Sequence, residues 1–140
     1  MEMLRQGAAV VAAVALAAAS VALSPAAAAD NVPLHHVRYT ITTETPFFAD
    51  IYYRDTDPPD WAAYSHDPYA FSPKTEAQVG PNQPWALDVM LADPNQWAMV
   101  VATSGLHPVE PNFHCTLEVD GTVVATNNGP KGALCSIRLW

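Results

Sequence analysis

Apolar and polar residues alternate with a period of two along much of the chain, which is the signature of half-buried strands. Val37, Tyr39 and Ile41 share one side of a first strand, with Arg38, Thr40 and Thr42 opposite. Phe47, Ala49, Ile51 and Tyr53 alternate with Phe48, Asp50 and Tyr52 in a second. Trp85, Leu87, Val89 and Leu91 make the apolar side of a third. Trp97 to Thr103 is apolar on both sides, which predicts a central strand covered on both faces. Cys115, Leu117 and Val119 alternate with His114, Thr116 and Glu118. Asp120-Gly121 then supplies a tight hairpin turn, because glycine tolerates positive φ. Val123 and Ala125 continue the return strand, and Asn127-Asn128-Gly129-Pro130 predicts a further turn. Cys135, Ile137 and Leu139 form the inner side of the last strand.

Seven short strands punctuated by Pro, Gly, Asn and Asp predict an all-β protein. Two packed sheets bury one-sided strands economically, so the expected architecture is a seven-stranded immunoglobulin-like β-sandwich.

The segment from Asp55 to Pro84 breaks the pattern, with 30 residues and six prolines. Loops beyond about 15 residues are uncommon and are usually functional or disordered. Trp61, Tyr64, Tyr69 and Phe71 make this one too aromatic for disorder. Two readings follow. The rings cover an outer apolar face around Ala98, Val100 and Ala102, or they form a binding lip over a cleft between loop and sheet. In the second reading Trp61, Tyr64, Tyr69 and Phe71 are the partner-binding residues.

The N-terminus bears on compartment. Arg5 precedes an apolar run of 16 residues, Ala8 to Leu23. At helical rise this spans about 24 Å, short of the ~30 Å hydrocarbon core. Pro25 and the small residues Ala27 and Ala29 follow, the pattern of a signal peptidase site. The expectation is a signal peptide over residues 1–29 and a domain over residues 30–140, secreted or held in the periplasm or cell envelope. The alternative is an uncleaved N-terminal anchor, the one case in which the membrane is a partner. Removing residues 1–29 takes away one base, Arg5, and one acid, Glu2, so the net charge stays at −8. An acidic domain is poorly suited to nucleic acid or anionic membranes. The two cysteines, Cys115 and Cys135, allow a single intramolecular pairing, and in an exported chain they are expected to be joined. By strand parity both face inward.

Candidate chemistry is sparse. His35 and His36 are adjacent, so on a strand their rings point to opposite faces rather than converging on a metal. Asp55, Asp57 and Asp60 suggest an oxygen-rich calcium loop, but the glycine and bidentate glutamate of an EF-hand are missing. Ser104-Gly105 has no nucleophile elbow around it. Aspartates beside Trp61 and Tyr64 are compatible with sugar binding. Neither a catalytic motif nor a cofactor signature stands out, so a non-enzymatic protein without metal or cofactor is expected.

Five short motifs resemble, in order, those of the small mycobacterial membrane protein family, MmpS. Val37-Arg38-Tyr39 resembles its opening strand. The stretch from Ala49 to Asp55, with Asp50, Ile51 and Tyr53, resembles a second motif. Gln83-Pro84-Trp85 resembles its Pro-Trp before a strand. Cys115 to Val124 resembles its cysteine-bearing hairpin, and Gly132 to Ile137 its closing strand with the second cysteine. The resemblance implies a β-sandwich on the outer side of the cytoplasmic membrane. It also implies a non-enzymatic accessory role beside RND-type lipid or siderophore exporters, MmpL. The partner would then be such a transporter or a lipid-like ligand. The alternative is a secreted small-ligand or carbohydrate-binding module without a transporter.

Overall fold

A computed structural model of the protein describes residues 32–140. The expected signal peptide lies outside the described residues. The chain runs β1 (His35–Thr43), β2 (Phe47–Tyr53), α1 (Trp61–His66), a 3-10 turn (Pro68–Phe71), β3 (Lys74–Val79), β4 (Trp85–Leu91), α2 (Pro94–Trp97), β5 (Met99–Thr103), β6 (Phe113–Val119), β7 (Thr122–Gly129) and β8 (Gly132–Ser136). One sheet has the order β4-β1-β6-β7 and the other β3-β2-β5-β8, with antiparallel pairing throughout. Among the described residues no helix is long and apolar enough to cross a membrane.

The alternating side chains do what their period requires. Val37, Tyr39 and Ile41 of β1 and Cys115 and Leu117 of β6 point into the sandwich, where they meet Ala49 and Ile51 of β2 and Val100 and Ala102 of β5. Cys115 on one sheet and Cys135 on the other are bonded, with Cα atoms 6.0 Å apart. The disulfide therefore staples the two layers through the core. Asp120 and Gly121 both take positive φ, 50° and 81°, and join β6 to β7 by a two-residue turn.

Four details differ from the sequence pattern. The two-sheet sandwich has an eighth strand, β3, inside the segment read as one long loop. Lys74, Glu76 and Gln78 face outward and only Thr75, Ala77 and Val79 face the core, so an apolar period is barely visible. An edge strand with charges on it is also protected against unwanted pairing. Trp97 closes the short helix α2 rather than opening β5. The turn expected at residues 127–130 falls later, because β7 continues through Gly129 and the chain crosses sheets at Pro130 and Lys131. Finally, β8 ends at Ser136, and Leu139 is exposed rather than inward-facing.

Candidate functional site

The aromatic residues of the 61–72 segment are placed by local caps. The Asp60 carboxylate accepts the Ala63 amide at 2.7 Å and starts α1. The Asp67 carboxylate accepts the Ala70 amide at 3.3 Å and starts the 3-10 turn. Asp57 fastens the entry of the segment to the rest of the domain, since its two oxygens accept the Ala92 and Asp93 amides at 2.7 and 2.8 Å. Of the three acids in the oxygen-rich stretch, Asp57 and Asp60 thus spend side-chain oxygens on backbone amides. Among the described residues no three His, Cys, Asp or Glu side chains gather as a metal site. His35 bonds Asp120 at 2.6 Å and His36 bonds Asp88 at 2.8 Å.

The segment folds back on Arg54, the residue that leaves β2. Arg54 has no solvent exposure at all (0%). Its Nε donates to the Phe71 carbonyl at 3.2 Å, Nη1 to the Trp97 carbonyl at 3.3 Å and Nη2 to Ser72 Oγ at 3.1 Å. The guanidinium lies over the rings of Tyr64 at 4.5 Å, Trp140 at 5.1 Å and Trp97 at 5.8 Å. Such stacking stabilises a desolvated cation. On the outer side of this cluster Arg138 covers Trp61 at 4.0 Å, and Trp61 stacks on Trp140 with centroids 6.0 Å apart. Tyr39 ties the cluster to the core: its hydroxyl donates to the Arg54 carbonyl at 2.7 Å and accepts the Met99 amide at 3.3 Å. Burial pushes the Tyr39 pKa above its ordinary value, against a smaller lowering by the Met99 hydrogen bond.

Between this segment and the outer face of β2 and β5 lies an open cleft of about 390 Å³. It is lined by Tyr52, Tyr64, Pro68, Tyr69, Ser72, Met99 and Val101. The outer apolar face of β5 is therefore Met99 and Val101. Ala98, Val100 and Ala102, which the sequence pattern assigned to that face, are buried in the core. The register error has a simple source: when both sides of a strand are apolar, parity carries no information about which side is in.

Of the four aromatic residues singled out by sequence, Tyr64 and Tyr69 border the cleft, and Tyr69 stands 81% exposed at its rim. Trp61 instead joins the arginine–aromatic stack with Tyr64, Trp97 and Trp140. Phe71 contributes its backbone carbonyl to Arg54 rather than its ring to the cleft. Arg54 and Ser72 went unnoticed in the sequence, and Met99 and Val101 were read only as part of the doubly apolar run from Trp97 to Thr103. Only the contiguous apolar run at β5 hinted that something covers its second face. A separate polar depression of about 270 Å³ lies around Glu44, Asn112 and His114. There Glu44 accepts Asn112 at 3.0 Å and meets His114 at 3.3 Å, which occupies its polar groups.

A two-sheet, disulfide-stapled sandwich with a clefted segment over one outer face is the class that these features define. The chain belongs to the Rv2576c beta-sandwich domain family, whose model matches residues 39–135. It is 40% identical over 116 residues to the uncharacterized protein Rv2576c of Mycobacterium tuberculosis, covering 83% of this chain and 75% of that protein. Mb2606c of Mycobacterium bovis matches with the same identity and the same coverage.

Proposed function

We propose that the protein is an exported, non-enzymatic binding domain of the cell envelope that takes up a lipid-like ligand in the cleft beneath Tyr64 and Tyr69. The cleft carries this reading. Met99 and Val101 make an apolar patch on the outer face of a sheet, where a sandwich domain ordinarily carries polar side chains. None of the seven lining residues bears a carboxylate. The volume falls within the range of small-molecule sites.

A carbohydrate site would call for open aromatic faces beside carboxylates. Trp61 and Trp140 are 46% and 42% exposed. Arg138, however, occupies a face of Trp61 at 4.0 Å, where a sugar ring would need to stack. The resemblance of the motif order to that of MmpS supports an extension of the lipid-like reading. A domain on the outer side of the membrane would receive a lipid beside an RND-type exporter and hand it onward.

The test is recovery of lipid. The protein is incubated with an envelope lipid extract, repurified and extracted for mass spectrometry, in parallel with Val101→Glu. Enrichment of one lipid class on the wild type and its loss on the variant is the expected result. Equal recovery from both would reject the cleft as the binding site.

A further inference from the structure

We infer that the ligand of this cleft is a single-chain anionic amphiphile, a long-chain carboxylate, whose head group sits at Ser72 with the Arg54 guanidinium directly behind it. This inference rests on the reading of the cleft as a binding site and names the chemistry of its occupant.

The first observation concerns charge. A buried ion is ordinarily paired with an opposite charge, because desolvation is costly. Arg54 is wholly buried, yet among the described residues no carboxylate stands within ion-pair distance of it. The chain has 14 acidic residues against six basic ones, so carboxylates are not scarce. Asp57, three positions along, gives both oxygens to backbone amides instead. The hydrogen-bonding partners of Arg54 are two carbonyls and one hydroxyl, all neutral. Its positive charge is stabilised but not neutralised.

The second observation concerns direction. Two residues that touch the guanidinium, Ser72 and Tyr64, also line the cleft. Ser72 Oγ accepts from Arg54, and the structure gives its own hydroxyl hydrogen no acceptor among the described residues. A hydroxyl polarised from behind by a cation is a strong donor to an anion in front of it, and charge-assisted hydrogen bonds are about twice as strong as neutral ones. Arg54 has no solvent exposure, so its field at Ser72 is screened less than that of an exposed cation would be.

The third observation concerns the rest of the lining. Tyr52, Pro68, Tyr69, Met99 and Val101 make the rest of the lining largely apolar. The volume, about 390 Å³, lies near the lower end of ligand sites. It suits one acyl chain rather than two.

Fluorescence titration of the purified protein with cis-parinaric acid, its methyl ester and the corresponding alcohol tests the inference. The three share a tail and differ in head-group charge. The acid is expected to bind about ten-fold more tightly than either neutral probe, the scale of a hydrogen bond to a charged group. Ser72→Ala should lower affinity for the acid several-fold and affect the ester less, because an ester carbonyl is a weaker, neutral acceptor. That variant keeps the buried guanidinium but removes the acceptor of its Nη2, so thermal unfolding is measured alongside and affinities are compared per folded molecule. Equal affinity for acid, ester and alcohol would overturn the carboxylate assignment while leaving the cleft a lipid-like site. Failure of all three to bind would overturn the proposed function together with it. An alkyl phosphate that binds more than ten-fold tighter than the acid would replace carboxylate by phosphate and equally overturn the assignment.

Discussion

The Tyr39 hydroxyl donates to the backbone carbonyl of Arg54 at 2.7 Å, across the interior from one sheet to the other. The same oxygen accepts the Met99 amide at 3.3 Å. One side chain therefore satisfies a carbonyl at the end of β2 and an amide at the start of β5, where neither finds a strand partner. It also fixes the backbone from which Arg54 enters its aromatic cluster.

Tyr39→Phe preserves the ring and removes both bonds. A buried carbonyl and a buried amide are then left without partners, which should cost about 1–3 kcal/mol. Urea unfolding of the variant checks this. A change under about 0.5 kcal/mol, the scale of an inconsequential surface substitution, would show that the hydroxyl is not structurally important.

Cys115→Ala removes the staple between β6 and β8. The loop it closes spans 20 residues. Loss of a native disulfide from a small domain typically costs about 2–5 kcal/mol. Mass spectrometry of the unreduced wild type should show the linked peptide pair, and denaturant unfolding should show the deficit in the variant. Two free thiols in the wild type would refute the pairing.

Tyr69 and Trp61 should behave differently when cut to alanine. Tyr69, 81% exposed on the cleft rim, should leave stability within about 0.5 kcal/mol and weaken binding of an apolar probe. Trp61 is 46% exposed and stacks with Trp97 and Trp140. Its loss should cost about 1–2 kcal/mol, less than the ~3–5 of a buried ring, and should leave probe binding per folded molecule unchanged. Thermal unfolding and titration on the same two variants separate the roles. The reverse assignment would place the recognition surface on Trp61.

Asp120 carries a pH effect of definite sign. The His35 side chain and then the His36 amide hold its carboxylate below the usual range. A depressed folded-state pKa stabilises the fold above the ordinary aspartate range. That contribution is lost as pH falls through the folded-state value. Carboxyl NMR titration should give a midpoint below that of an unperturbed aspartate, and His35→Ala should bring it back up. A midpoint at or above the ordinary value would contradict the pairing.

Period-two alternation by itself determined the all-β class and the inward set Val37, Tyr39, Ile41, Cys115, Leu117 and Cys135, because a half-buried strand writes its burial directly into its residues, and the Asp120-Gly121 pair marked the hairpin through glycine's tolerance of positive φ. The cysteine pairing was legible because two cysteines allow only one intramolecular bond, and both fell on the buried parity. Tertiary structure alone decided the rest. Strand β3 was hidden because an edge strand with Lys74 and Glu76 has little apolar period to display. The outward face of β5 was undecidable because both of its sides are apolar, and only the seating of Tyr64 and Tyr69 over Met99 and Val101 identifies it. The Arg54 cluster draws on residues 54, 64, 72, 97 and 140, which no local pattern connects. A charge is buried only when distant segments close around it, and that closure belongs to the folded chain rather than to any stretch of sequence.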